Sequence, residues 1–331
     1  MPLIAVAYAA FAAGLFLGYG GLSWLPTVTA IPAIFFAVLK RDAMIAGMVL
    51  FLLAGSSIAS RSAPQKDRRS APAAGVQSAT LRAMKKRASK AIDEIFRADA
   101  PMAKALLIAE QQEIPLEMRD RYARAGMVHM LSISGLHVAI IAGAILLILQ
   151  AAHVPRNSAT LIGILLTAFY VALIGAPAPA VRSAGMLALG GASRLTGRPT
   201  SPWASLAVGA FVPLVNPRTV LDLGYQLSVL GIAGLIASGK LSRRLFEKRE
   251  VRFRKIWKEL LTSIVATIVT APLVAWYFGR LSIIAPLANL ASGPIVSVLQ
   301  PTLFVALALA PFPMVARLFA DAAHPLLLAF D

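Results

Sequence analysis

The sequence contains no cysteine among its 331 residues, which excludes disulfides, iron–sulfur clusters and thiolate zinc sites. Charge is scarce as well. Asp, Glu, Lys and Arg make up 14% of the chain, against about 25% in a soluble domain. Acid is the scarcer sign, with 15 Asp and Glu against 32 Lys and Arg and a net charge of +17. Only four histidines occur, with no carboxylate cluster beside them, so no metal site is expected. No cofactor is expected either, and no Gly-x-x-x-x-Gly-Lys-Ser/Thr loop is present to cradle a nucleotide. The apolar runs are continuous rather than alternating, which argues against a β-barrel.

What remains is apolar. Hydrophobic residues make up 58% of the chain, and the mean hydropathy is +0.74. Apolar segments recur near 3–20, 24–39, 43–60, 127–150, 157–175, 178–193, 203–215, 223–238, 260–278, 282–310 and 313–330. This pattern predicts an all-α fold: a polytopic integral membrane helical bundle with interrupted or re-entrant helices. The early run Ile4–Leu17 lacks a basic leader and reads as a retained helix. Segment 127–150 is long enough to span as one helix. Run 282–310 is expected to break at Pro286, Gly293-Pro294 and Pro301. Interrupted helices at membrane depth are tolerated where they are buried in protein or line a cavity. Residues 62–80 read as a linker, 81–97 as a helix with a basic face, and 100–125 as an interfacial amphipathic helix broken at Pro115. The expected organisation is N-terminal transmembrane helices over 1–60, a basic linker over 61–97 and a transmembrane domain over 98–331.

The basic residues are clustered. Residues 61–97 hold ten, including Arg68, Arg69, Lys85, Lys86 and Arg87, and 240–258 hold nine, including Arg243, Arg244, Arg252 and Arg254. Positive-inside retention and attraction to anionic membrane lipids account for such clusters. So does a path for a polyanion such as nucleic acid. Parity places the two clusters on opposite sides if every segment from 127 to 238 crosses, and on one side if one of them is re-entrant.

Chemistry concentrates in His129-Met-Leu-Ser-Ile-Ser-Gly-Leu-His137, at the start of an apolar run. On one helix, His129, Ser132 and His137 would share a face. Ser134 and Gly135 would allow a neighbouring helix to approach closely. Tight helix packing and a polar path both fit. A serine hydrolase is a third reading, with Ser134 as nucleophile and His324 as the base from another helix. Arg182 in an apolar segment should snorkel or face a polar cavity. Asp222 and Gln226 lie four apart, and Asp222 is expected to pair structurally with Arg182 or Arg218. Asn289 and Gln300 flank Ser292-Gly-Pro294, where they line a path or cap half-helices. Arg280, after Trp276-Tyr277, reads as an interfacial anchor.

Four stretches, in order, resemble the ComEC family of bacterial competence proteins. They are Gly126 to Val138, Val181-Arg-Ser-Ala-Gly-Met186, Val215-Asn-Pro217 with Leu221-Asp-Leu-Gly-Tyr-Gln-Leu-Ser228, and Pro272 to Pro294. The resemblance implies a multi-pass protein of the bacterial inner (cytoplasmic) membrane that acts as a non-enzymatic channel component for uptake of single-stranded DNA. It implies a path near His129, Ser134, His137, Arg182 and Asp222. It also implies a DNA receptor outside and a helicase-like ATPase inside, with a homo-oligomer compatible. Two departures stand out. Residues 61–97 are too few for the family's OB-like domain, and no His-x-His-x-Asp-His run marks its metallo-β-lactamase-like nuclease. Nuclease activity is therefore not carried over. A small-molecule or lipid-linked permease remains an alternative.

Overall fold

A computed structural model describes residues 3–22, 25–26, 43–61, 77–246, 254–279 and 281–330. Every regular element among them is helical, and three helices are long and apolar enough to cross a membrane. The chain forms two compact units: Met1–Ala73 with Gly185–Val229, and Ala74–Ala184 with Leu230–Asp331.

The first unit is built on α1 (Leu3–Tyr19) and α2 (Ala43–Arg61). Their apolar sequences give no amphipathic side, so small residues decide which faces meet. A Cβ at Gly14 would fall 2.0 Å from the Leu52 carbonyl oxygen, and one at Gly55 would fall 2.3 Å from that of Phe11. Backbone therefore lies against backbone, as small residues allow in membrane helices. Helix α9 (Pro202–Phe211) is followed by two 3-10 turns, Val212–Val215 and Pro217–Leu221. Tyr225 donates its hydroxyl hydrogen to the Ala210 carbonyl at 2.9 Å. Tyr8 must then donate to the Tyr225 oxygen, 2.6 Å away, because a phenol carries one hydrogen. The Phe211 ring meets Tyr8 edge-on at 5.2 Å.

The second unit contains α3 (Ala79–Phe96), α4 (Ala100–Ile108), α5 (Leu116–Ala125), α6 (Gly135–Ala151) and α7 (Arg156–Leu173). It also contains the start of α8 (Ala178–Thr196), most of α10 (Leu223–Phe246), and α11 (Arg254–Phe278), α12 (Ala285–Ala308) and α13 (Pro313–Phe330). The three helices long and apolar enough to cross a membrane are α7, α11 and α12. Ile92, Ile95 and Phe96 of α3 pack with α4, Met130, Leu131, Leu299 and Leu303 into one core. Helices α10 and α11 are antiparallel, with Gly234 against Ala266 and Ser238 bonded to Thr262 at 3.2 Å.

Three expectations change. Residues 127–150 are not one helix. A 3-10 turn, Val128–Leu131, and the extended Ser132 and Ser134 precede α6, whose 17 residues reach about 26 Å. His129, Ser132 and His137 therefore share no helix face. Residues 100–125 are two helices, and the break begins at Ala109, which is left-handed at φ 58°. Helix α4 is buried over nearly its whole surface rather than lying in the interface, because apolar residues ring it. Run 282–310 stays helical from Ala285 to Ala308, with Pro294 and Pro301 inside. Interruptions fall instead at 109–115, 132–134 and 212–222. Helix α3 begins at Ala79, and Arg68, Arg69, Arg252 and Arg280 lie outside the described residues.

Candidate functional site

Ser134 is the N-cap of α6, and His137 is the third helical residue. Ser134 caps the His137 backbone, and its own N–H donates to His137 Nδ1 at 3.1 Å. Ser134 Oγ lies 2.8 Å from the same nitrogen. The box is reciprocal, with histidine in the place glutamate or glutamine usually takes. Because Nδ1 accepts, a neutral His137 carries its proton on Nε2. That nitrogen is fully buried and has no hydrogen-bond partner among the described residues. A buried donor left unpaired costs about 1–3 kcal/mol.

Gly135, the first residue of α6, touches Arg182. A Cβ there would fall 2.7 Å from Arg182 Nη2 and 2.6 Å from Ser183 Oγ. Only a bare Cα admits the guanidinium. Arg182 is 1% exposed and does not snorkel. It donates to Ser183 Oγ at 3.0 Å, and Ser183 donates onward to the Pro179 carbonyl at 3.0 Å. The small-residue packing and the buried cation expected of this region are thus one contact.

On the other side of the turn, Gly126 ends α5 in the left-handed region at φ 74°. Its Cα packs on the start of α12, where an added Cβ would meet Ala285 and Ser282 at 2.6 and 3.0 Å. Ser282 Oγ, Asn289 Oδ1 and both amide atoms of Gln300 are buried without hydrogen-bond partners among the described residues. Residues 126–137 therefore join Arg182 and Ser183 on one side and Ser282 and Ala285 on the other. His129 is exposed, and its carbonyl accepts from Ser132 Oγ at 3.0 Å.

Asp222 and Gln226 belong to the other unit, where they begin α10. Asp222 Oδ1 accepts the Tyr225 N–H at 2.7 Å, and Gln226 Nε2 donates to the Val220 carbonyl at 2.8 Å. The pairing of Ser134 with His324 that a serine hydrolase would need is not formed: His324 Nδ1 lies 2.7 Å from Asp99, and the imidazole beside Ser134 is His137. Of the basic candidates, Lys86, Arg87, Arg243, Arg244 and Arg254 are exposed, while Lys85 pairs with Glu110 at 3.7 Å.

Sequence reasoning passed over Lys104, which is 4% exposed and bonded to Asp93 at 2.7 Å and Glu113 at 2.8 Å. Burial opposes its charge, but the two carboxylates outweigh it and hold the ammonium pKa above the usual lysine value. Ser183, adjacent to Arg182 in one of the resembling stretches, was legible by position. Ser282 and Gly126 had a weaker signal, the glycine being a helix-ending one.

Three helices able to cross a membrane, in a chain whose described elements are all helical, define a polytopic helical membrane protein. The chain belongs to the competence protein family, whose model matches residues 106–330. It is 26% identical over 194 residues to ComE operon protein 3 of Bacillus subtilis (strain 168), covering 58% of this chain and 24% of that one. It is 30% identical over 205 residues to competence protein ComA of Neisseria gonorrhoeae, covering 58% and 28%. A third relative is the uncharacterized protein YcaI of Escherichia coli (strain K12), 30% identical over 143 residues, covering 39% and 18%. The chain thus spans about a quarter of the length of the curated relatives it matches. No solved structure matches it.

Proposed function

We propose that this chain is a channel component, not an enzyme, that passes single-stranded DNA through the bacterial inner membrane during natural transformation. Family membership supports the competence role. The observation that carries the path is the polar turn at Ser134–His137. It sits among apolar helices, with a guanidinium at its first residue and an imidazole N–H that lacks an acceptor among the described residues. Polar groups kept at such depth are by default functional. His129, Ser132, Ser134, Gly135, His137, Arg182 and Asn289 would border the strand, with Asp222 and Gln226 shaping the start of α10. A DNA receptor would deliver the strand outside. A helicase-like ATPase would draw it inward, meeting the basic segment 240–258.

The test is entry of labelled DNA into the cytoplasm of a naturally competent host, with and without the gene, with surface binding tracked separately. Loss of entry with surface binding retained is the expected result, repeated by His137→Ala and Arg182→Ala. Unchanged entry in the deletion strain would overturn the proposal.

A further inference from the structure

The start of α3 carries more positive charge than the protein neutralises. Between Ala79 and Lys90 there are five basic residues and no acid. The carboxylates that reach this helix are already engaged. Glu110 takes Lys85 and Ser89, Glu94 takes Lys90, and Asp93 reaches across to Lys104. Arg82, Lys86 and Arg87 are exposed and make no ion pair among the described residues. Arg82 and Lys86 lie one turn apart, a like-charge spacing that weakens a helix. Arg82 also stands at the end of the first helical turn, where the backbone dipole disfavours a cation. Nothing local rewards this arrangement, so an external anion is the natural partner.

The position of this stripe is fixed by Gln77. Its Nε2 donates to the carbonyls of Ala172 and Leu173, at 3.0 and 2.8 Å, and so ties the start of α3 to the C-terminal end of α7. Helix α7 runs antiparallel to α6, since only residues 152–155 link them and a Cβ at Gly163 would meet Leu146 at 3.0 Å. The C-terminal end of α7 therefore lies beside the N-terminal turn of α6, where Gly135 meets Arg182. The stripe and the polar turn begin at one end of the same helix pair.

Resting on the reading of the chain as a DNA path, we infer that Arg82, Lys86 and Arg87 form a docking surface for the phosphodiester backbone of single-stranded nucleic acid, leading toward the Ser134–His137 turn. A lipid-surface helix would keep an apolar face for the bilayer. In α3 that face is taken by the protein core through Ile92, Ile95 and Phe96. What α3 offers outward is cationic, with Met84 the one large apolar side chain exposed among these cations.

The experiment uses the full chain in nanodiscs of zwitterionic lipid and a fluorescein-labelled oligothymidylate, with anisotropy read across a salt series. Combined Arg82→Gln, Lys86→Gln and Arg87→Gln should weaken binding at least about tenfold at low salt. It should also flatten the plot of log affinity against log salt by about 2, since each phosphate contact on a single strand contributes about 0.7. Arg82→Lys with Arg87→Lys should keep the slope. An unchanged slope in the triple variant would overturn the docking surface. So would a triple variant that binds DNA normally and loses only its retention on phosphatidylglycerol vesicles. If the stripe fails while His137→Ala still blocks DNA entry, the path reading stands without it. If the unaltered protein binds no oligonucleotide and its loss leaves entry unchanged, both fall.

Discussion

Gly135→Ala is the sharpest probe of the polar turn. The added methyl would lie 2.7 Å from Arg182 Nη2 and 2.6 Å from Ser183 Oγ, closer than carbon approaches either atom. Arg182 is 1% exposed, so its guanidinium has little room to retreat. Overpacking of this kind costs about 1–3 kcal/mol. Alanine returns up to about 1 kcal/mol of helix propensity, less at the first helical position than in the interior. The net expectation is a loss of about 1–2 kcal/mol in unfolding measured in detergent, with DNA entry falling to the level of Arg182→Ala. A double-mutant cycle isolates the contact. Ser183→Ala removes the nearer of the two atoms, so Gly135→Ala should cost less in that background, by at least about 0.5 kcal/mol. Strict additivity, or DNA entry untouched by Gly135→Ala, would refute the argument that a bare Cα is there to seat the guanidinium.

Gln300→Leu should raise stability by about 1–3 kcal/mol, because it removes two buried polar groups that have no partner among the described residues from an apolar core; a lower unfolding midpoint would mean that both groups are satisfied in the membrane. The Lys104 pKa is raised by folding, so its contribution to stability is complete below the unfolded value, about 10.4, and is lost as pH climbs through the higher folded value. Thermal midpoints should therefore hold from neutral pH to about that value and then drop more in the unaltered protein than in Lys104→Met; equal drops would refute the linkage. Ser134 should resist fluorophosphonate labelling, because its hydroxyl caps the His137 backbone while hydrogen-bonded to the same residue's ring; labelling there would revive the hydrolase reading.

Much of the fold was legible because apolar length is a strong signal. The helical membrane class follows from the long runs, and α7 and α11 lie close to two of the expected segments. Local breaks were harder to read. Prolines suggested interruptions in 282–310, yet α12 runs through Pro294 and Pro301, since a proline removes one donor without forcing a helix to stop. The break before α6 contains no proline at all. It follows from Ser134 taking an extended conformation and capping, a choice serine offers in many places where it is not used. His137, Arg182 and Gly135 were nominated from sequence, and the structure brings them to one helix turn. Their contacts were not readable, because which residue meets Arg182 depends on how α6 and α8 pack. Asp222 and Gln226 were read as a helix face and are found starting a helix, where Asp222 sits just outside the periodic segment.

The glycine seam between α1 and α2 also limits motion. Gly14 and Gly55 face carbonyl oxygens with no side chain interposed, and Gly18 faces the Ala59 methyl and, behind it, the Ser56 carbonyl. Sliding α1 by one residue in either direction would drive a leucine, Leu17 or Leu15, into a gap that holds only hydrogen. Neither shear nor rolling is available without first prising the two helices apart. Any movement this pair makes during a working cycle is therefore that of a single rigid strut, hinged outside the seam.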